Sequence, residues 1–274
     1  MKKKTALVLC FALALLLSLP IYGASYREIS VYINGEKLIT SDYPRLINDT
    51  TYVPLRAICE LFGAESISWE QKTKTATVKA RGTSIYIKEG DNYIIANGRY
   101  FACDEKVLNI DDRLYLPVRL ISSAFASEVE WRSDYSVRIT DKGSAPTSGA
   151  EYYDEGEVYW LSRIIYAESG AEPFLGKIAV GNVVLNRVKS DIFPNTVYEV
   201  IFDKKHGTQF APTSSGSIYN TPNADSVAAA KICLEGYSVD ERVLYFMEPR
   251  LATNTWISQN RRFAFQIGAH NFYY

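Results

Sequence analysis

The sequence predicts an α+β protein in two parts, a duplicated ββαβ module followed by a mostly helical domain. Two observations predict this division. In the first half, short motifs recur at a fixed offset, which indicates a duplicated structural unit. After residue 156, apolar residues instead follow the i, i+3, i+4 spacing of helices. A chain of 274 residues is long enough for two such domains.

The repeated motifs lie 63 residues apart. Asn34-Gly35 recurs as Asn97-Gly98, and Thr-Tyr-Val-Pro-Leu-Arg over 51–56 recurs as Leu-Tyr-Leu-Pro-Val-Arg over 114–119. Asn-Gly predicts a tight hairpin, because both central residues of such a turn need a positive φ. The proline predicts the first turn of a helix, where its missing N–H needs no partner. Alternating segments then predict a closing strand in each unit, at 74–80 and 136–140.

The same positions carry a family resemblance. Trp69 recurs as Trp131, and with the paired prolines these residues resemble the copper amine oxidase N-terminal domain family over about residues 28–141. The resemblance implies a non-catalytic module that binds a wall polymer or a protein, with a spacer that binds nothing as the alternative. Neither histidine of the chain lies in this region, so no copper ligand cluster is expected.

The segments outside the two predicted domains have compositions of their own. Residues 1–25 begin with three lysines, continue with a short apolar run and end in small residues, which predicts a signal peptide and secretion. An uncleaved N-terminal anchor is the alternative. Residues 142–156 are rich in Gly, Ser and acidic residues and predict a flexible linker. The helical domain is then predicted over 157–274.

One helix of the second domain carries a carboxylate where its pattern calls for an apolar residue. Leu161, Ile164, Ile165 and Glu168 follow one helix face, and Gly170 then ends the helix. Burial disfavours the charged form of a carboxyl group and raises its pKa. A carboxylic acid that stays protonated near neutral pH can donate a proton to a glycosidic oxygen. The alternative is a Glu168 that turns outward and pairs with Arg163 or Arg187.

The residues around Glu168 resemble the catalytic domain of the SleB-type cell wall hydrolases, the spore cortex-lytic enzymes and their relatives. The matching residues, in chain order, are Leu161, Arg163, 165–168, Glu172-Pro173, Gly176, 179–181, 183–188, Phe193-Pro194, Gln209-Phe210, Pro222-Asn223, 244–246, Pro249, Trp256, 267–268, His270, Phe272 and Tyr273. The family commonly has Ala-Arg-Gly-Glu-Pro after the catalytic Glu, where this chain has Ser-Gly-Ala-Glu-Pro over 169–173. A second departure is Met247-Glu248, where the family has Tyr-Asn.

The resemblance implies a lysozyme-like helical fold, activity on the muramic acid–glucosamine backbone of peptidoglycan, and Glu168 as the catalytic acid. It also implies a place of action in the cell wall or the spore envelope. Two-carboxylate glycosidases need a second acid, for which Glu172 and Glu248 are the candidates. In the favoured alternative, Glu168 alone acts as acid and then base, and the C6 hydroxyl of the sugar closes on C1 to give an anhydro sugar.

Six further residues are predicted to bind substrate, each with a structural alternative. They are Asn182, Asn186, Phe210, Tyr245, Trp256 and His270. The two asparagines lie one helical turn apart, and they either line a groove or satisfy buried backbone groups. The aromatic residues either stack on sugar rings or pack in the core. His270 either orients a neighbouring group or is a core histidine.

Composition excludes several other classes. A net charge of −1 gives no basic surface for nucleic acid, and two histidines are too few for a three-histidine zinc site. No cofactor is predicted. A Cys-His peptidase would need Cys233 beside His206 or His270, but Cys233 lies late in an Ala-rich helix, where packing is the better interpretation. The main rival is a catalytically silent wall-binding protein that keeps the fold.

Overall fold

The computed structural model describes residues 29–205, 207–252 and 254–274. The predicted signal peptide lies outside these residues, as does His206. Within the described ranges, none of the helices combines the length and apolar character needed to cross a membrane. The α+β class is confirmed, with sheets in the N-terminal half and helices dominating the C-terminal half.

The N-terminal half consists of strands with two short helices. Its elements are β1 Ser30–Ile33, β2 Glu36–Lys37, β3 Arg45–Ile47, β4 Thr50–Pro54, α1 Leu55–Leu61, β5 Ser66–Glu70, β6 Thr75–Ala80, β7 Thr83–Lys88, β8 Tyr93–Ala96, β9 Arg99–Ala102, β10 Leu108–Ile110, β11 Arg113–Pro117, α2 Val118–Ser123, β12 Glu128–Arg132 and β13 Ser136–Thr140. The structure therefore adds a second hairpin, β3–β4 or β10–β11, and a strand after the helix, β5 or β12, to the ββαβ outline of each unit, and β7 lies between the two units.

The two units interlock instead of standing side by side. Strand β1 of the first unit pairs in parallel with β13 of the second, which gives the sheet order β12-β13-β1-β2. In return, β8 and β9 of the second unit extend the first unit's sheet in the order β5-β6-β7-β8-β9. The central sheet joins both units through the antiparallel pair β4–β11. A single apolar core follows, with residues from both units.

The C-terminal half is built from helices and one small sheet. Its elements are α3 Gly149–Tyr152, α4 Glu155–Ser169, α5 Phe174–Val188, α6 Val197–Phe202, α7 Pro212–Ser215, a 3₁₀ turn Ser217–Tyr219, α8 Ala224–Leu234, β14 Tyr245–Met247, α9 Trp256–Asn260, β15 Phe263–Ile267 and β16 His270–Tyr273. The three strands form an antiparallel sheet in the order β14-β16-β15.

Capping residues fix the ends of the helices that form the core. The side chain of Asp154 accepts a hydrogen bond from the backbone N–H of Glu157 at the start of α4. Asn223 accepts one in the same way from Ser226 at the start of α8. Such caps satisfy N–H groups that have no partner inside the helix. Helices α4, α5 and α8 pack against one another around a second apolar core.

The two halves meet through a buried polar contact. Arg99 in β9 donates to Glu235 just after α8, with Nε–Oε1 at 2.9 Å and Nη2–Oε2 at 2.6 Å. The hydroxyl of Tyr153 donates to the same carboxylate at 2.7 Å and accepts from the backbone N–H of Tyr100. The segment 142–156 is thus packed against the N-terminal half: it contains α3, and Asn97 donates to the carbonyl of Pro146.

Candidate active site

Glu168 lies one residue before the end of α4, on the face that packs inward. Leu161, Ile164 and Ile165, which share this face, are completely buried. Glu168 keeps part of its surface exposed. A carboxylate is therefore held at the edge of the apolar core, where solvent and a ligand can still reach it.

This environment changes the acidity of Glu168. Burial raises the pKa of its carboxyl group to about 7, because desolvation penalises the charged form. Within the described part of the chain, no side chain pairs with it. The alternative pairings are wrong: the Arg163 guanidinium lies 3.8 Å from the ring centre of Tyr159, and Arg187 Nε donates to the carbonyl of Leu244 at 2.8 Å.

Glu172 is held in place by the hairpin at the C-terminus. Its Oε2 accepts a hydrogen bond from the backbone N–H of Ala269 at 2.9 Å and lies 4.0 Å from Nδ1 of His270. Gly268 makes this approach possible, since a Cβ on that residue would lie 1.8 Å from Oε2 and its φ is +57°. Glu172 therefore ties the loop after α4 to the turn between β15 and β16.

His270 belongs to the core beside Glu172. It is buried, and its ring meets that of Phe246 edge to face at 5.3 Å. Burial lowers the pKa of its imidazole, while the charges of Glu172 and Glu248 act in the opposite direction. Of the two interpretations made from the sequence, the core histidine is the one that this packing supports.

Asn182 and Asn186 are buried framework residues, which corrects their assignment to substrate binding. They are 4% and 5% exposed. Asn182 donates to the carbonyl of Tyr237 and accepts from the N–H of Val239, each at 2.9 Å. Asn186 donates to the carbonyls of residues 240 and 243, also at 2.9 Å. Their amides therefore satisfy backbone groups of the loop after α8, which accounts for their burial.

Phe210 is also a core residue, which corrects its assignment to the substrate groove. It is buried, lies 6.2 Å from the ring of Phe246, and has the guanidinium of Arg187 at 5.2 Å. Burial lowers the pKa of Arg187 to about 10. Phe210 thus covers a buried cation and presents no face to solvent.

Tyr245 and Trp256 lie together at the surface. Their ring centres are 6.4 Å apart, and Trp256 is exposed. The guanidinium of Arg261 lies 4.7 Å from the Tyr245 ring and 4.8 Å from the Trp256 ring. Sequence reasoning missed Arg261, because its position after a short helix carries no recognisable signal. Tyr245 and Arg261 are half-buried, so Trp256 is the exposed member of this aromatic cluster with one cation.

Comparison with known proteins accounts for both halves of the chain. Residues 171–273 match the family described as Cell Wall Hydrolase. This chain carries a cell wall hydrolase domain. The match begins three residues after Glu168, in the loop that Glu172 fixes. Residues 32–139 match the family described as Copper amine oxidase N-terminal domain, as the resemblance of the repeats implied.

Several curated relatives of the cell wall hydrolase domain bear the name spore cortex-lytic enzyme. The Bacillus cereus protein is 36% identical over 132 residues, which cover 48% of each chain. The Bacillus subtilis protein is 33% identical over 120 residues, 44% of this chain and 38% of that one. The chain thus spans about half the length, or less, of these relatives.

Two solved structures also match this part of the chain. The catalytic domain of the germination-specific lytic transglycosylase SleB from Bacillus anthracis is 37% identical, with 44% of this chain and 97% of that chain covered and a TM-score of 0.41. The catalytic domain of Bacillus cereus SleB is also 37% identical, with 44% and 92% covered and a TM-score of 0.40.

The donor set does not fit a copper ion, despite the family name of the N-terminal match. Residues 32–139 contain no histidine. Across the described residues, no group of three or more His, Cys, Asp or Glu side chains is arranged to hold a metal ion. Imidazole is the usual nitrogen ligand of copper in proteins, so the residues of this domain do not fit a copper ion.

Proposed function

We propose that this protein is a secreted enzyme that degrades the muramic acid–glucosamine backbone of peptidoglycan, with Glu168 as its catalytic acid. The observation that carries the proposal is the carboxyl group of Glu168, which has no partner among the described residues and has a pKa raised to about 7. The cell wall hydrolase domain and the spore cortex-lytic relatives support this substrate class. The place of action is the cell wall or the spore envelope.

The reaction begins with proton transfer. Protonated Glu168 donates its proton to the glycosidic oxygen as the bond from that oxygen to C1 breaks, and the bonding electrons leave with the oxygen. Positive charge develops at C1 and the ring oxygen of the retained sugar. The carboxylate that Glu168 has become lies beside this charge and stabilises it.

The second half of the reaction uses the same residue. The Glu168 carboxylate accepts the proton of the sugar's C6 hydroxyl while that oxygen bonds to C1. The product is an anhydro sugar, no water is consumed, and Glu168 regains its proton. A pKa close to neutral suits a group that must donate and then accept a proton.

The environment of Glu172 supports the single-acid route over hydrolysis with a second carboxylate. Glu172 already accepts a backbone hydrogen bond from Ala269 and lies next to His270. Movement of Glu172 toward a substrate would break this hydrogen bond to the half-buried N–H of Ala269 and would lower the stability of the fold by about 1 kcal/mol. The exposed Trp256, with the half-buried Tyr245 and Arg261 beside it, is the proposed contact for sugar rings.

Digestion of purified peptidoglycan, with and without muramic lactam, tests the proposal by mass spectrometry of the products. The wild type should release anhydromuramoyl fragments, Glu168→Gln should release none, and Glu241→Gln, which changes an exposed carboxylate of the same domain, should behave as the wild type. Fragments with reducing ends would instead indicate hydrolysis. A wild type that releases no fragments would favour the silent wall-binding protein. A preference for lactam-containing material would indicate spore cortex.

A further inference from the structure

A depression in the described part of the N-terminal half is lined mainly by the first repeat unit, and residues 109 and 112–114 of the second unit also contribute to its walls. Its volume is about 1180 Å³, and it lies between the segment Leu38–Asp42, helix α1 and strand β5. Leu55, Leu61 and Ile67 contribute apolar surface to it. A concave site of this size, with apolar walls and polar groups at its edge, can hold several units of a polymeric ligand.

The second repeat unit shows that the face equivalent to this depression can pack against another part of the protein. Strand β9 of the second unit corresponds to β2 of the first and packs on α8, with Arg99 bound to Glu235. The equivalent face of the first unit is open. Ile39 occupies the position equivalent to the packed Ala102, yet 89% of its surface is exposed. The hydrolase domain covers this face in one unit and leaves it free in the other.

An indole ring forms one wall of the depression. Trp69 in β5 is 42% exposed, and its Nε1 donates to Oε1 of Gln71 at 2.7 Å. This hydrogen bond orients the ring, and part of its apolar surface stays exposed. A flat apolar face surrounded by side-chain amides and carboxylates matches the chemistry of a sugar ring, which has apolar C–H faces and hydroxyl groups at its edge.

The charges of the depression favour a ligand without net charge. Its walls contain five carboxylates and four cations, so there is no cationic surface that would hold a polyanion. Three of the cations are already paired with carboxylates. The pairs are Arg56–Glu60 at 3.6 Å, Lys74–Glu89 at 3.0 Å and Arg113–Asp42 at 3.3 Å.

We infer that this depression is a binding site for the sugar backbone of peptidoglycan. Trp69 stacks on a sugar ring, and Ile39 contacts the same glycan chain. The identity of the polymer rests on the proposed function, whereas the location of the site does not. A second attachment on the same polymer raises the local concentration of substrate around the hydrolase domain.

The test compares two tryptophans in the full chain carrying Glu168→Gln. Trp131 in β12 is the repeat equivalent of Trp69, is 41% exposed, and does not line the depression. Binding is measured by co-sedimentation with insoluble peptidoglycan freed of anionic polymers. Trp69→Ala should raise Kd about tenfold, as expected for a lost stacking contact, while Trp131→Ala should leave Kd unchanged.

A second variant keeps the test valid if Trp69→Ala disturbs folding, and three results would overturn the inference. Ile39→Ser, at a highly exposed position, replaces Trp69→Ala if the latter lowers the unfolding midpoint, and should raise Kd about threefold. Equal binding by all variants would overturn the inference. Binding that is salt-sensitive and requires anionic wall polymers would also overturn it. The same holds if the protein is a dimer that Trp69→Ala converts to a monomer while peptidoglycan binding stays unchanged. A wild type that cleaves nothing but binds through Trp69 would refute the proposed function alone.

Discussion

Replacing Glu168 by Gln should abolish activity and at the same time stabilise the fold. The folded-state pKa of Glu168 is raised from 4.5 to about 7 by desolvation. The stability that protonation provides is therefore fully present below the unfolded-state pKa, and it is lost as the pH rises through about 7. Gln is close in shape to the protonated acid and never carries the buried charge. The variant should therefore gain stability over the wild type as the pH increases.

The size of this gain follows from linkage. Raising the pKa of Glu168 from 4.5 to about 7 lowers the unfolding free energy of the wild type by roughly 3 kcal/mol at pH 8, where the carboxyl group is ionised, and by less than about 1 kcal/mol at pH 5. Solvent screens the charge of the partly exposed Glu168 and reduces this difference. For a domain of this size, the difference corresponds to a rise in Tm of roughly 6–12 °C at pH 8.

Urea unfolding at pH 5 and pH 8 measures the effect, with Glu241→Gln as the control at an exposed carboxylate. The control should show no pH-dependent difference from the wild type. If the stability difference between Glu168→Gln and the wild type is the same at both pH values, Glu168 titrates like an ordinary carboxyl group, and the reasoning about its acidity fails. Wild-type activity should also decline as the pH rises above about 7, because the acid loses its proton.

Three further predictions concern residues that hold the structure. Arg99→Ala leaves the buried Glu235 without its cation and should lower the unfolding free energy by about 3 kcal/mol, as measured by urea unfolding. The double variant with Glu235→Ala should recover part of this loss. Asn186→Ala leaves two backbone carbonyls without donors and should cost about 2 kcal/mol in unfolding free energy, with the rate on peptidoglycan per folded molecule unchanged. Gly268→Ala displaces the carboxylate of Glu172 and should lower stability by about 2 kcal/mol, which a shift in Tm would show.

Local sequence signals predicted the elements of the fold well. The closing strands expected at 74–80 and 136–140 are observed as Thr75–Ala80 and Ser136–Thr140, and Asn34 and Gly35 both have the positive φ that their predicted turn needs. Both depend on groups within a few residues of each other. The parallel pairing of β1 with β13 does not, since Ser30 pairs with Ser136. No residue near either strand encodes that partner, so the interlocking of the two units could not be read from the repeat.

The candidate site shows the same limit at the level of side chains. Helical spacing predicted that Glu168, Asn182 and Asn186 face inward, because that depends only on the geometry of one helix. What each side chain meets there depends on distant segments. The asparagines meet backbone of the loop 237–243, whereas Glu168 meets no partner in the described chain. A buried polar residue in a sequence pattern therefore indicates either a structural bond or a reactive group.

The segment 142–156 shows why composition alone did not describe the junction between the two halves. Its Gly, Ser and Pro content predicted flexibility, yet the glycine at 149 is required by packing. A Cβ on Gly149 would lie 2.4 Å from the carbonyl oxygen of Gly98. The Asn97-Gly98 turn of the second repeat unit thus packs against the backbone that leads into α4. The N–H of Gly149 donates to the carbonyl of Asn97 at 2.8 Å. The equivalent turn at Asn34 instead bonds to the backbone of Asp141. The two Asn-Gly turns therefore have the same sequence but bond to different segments, and only the turn of the second unit contacts the backbone that leads into the hydrolase domain.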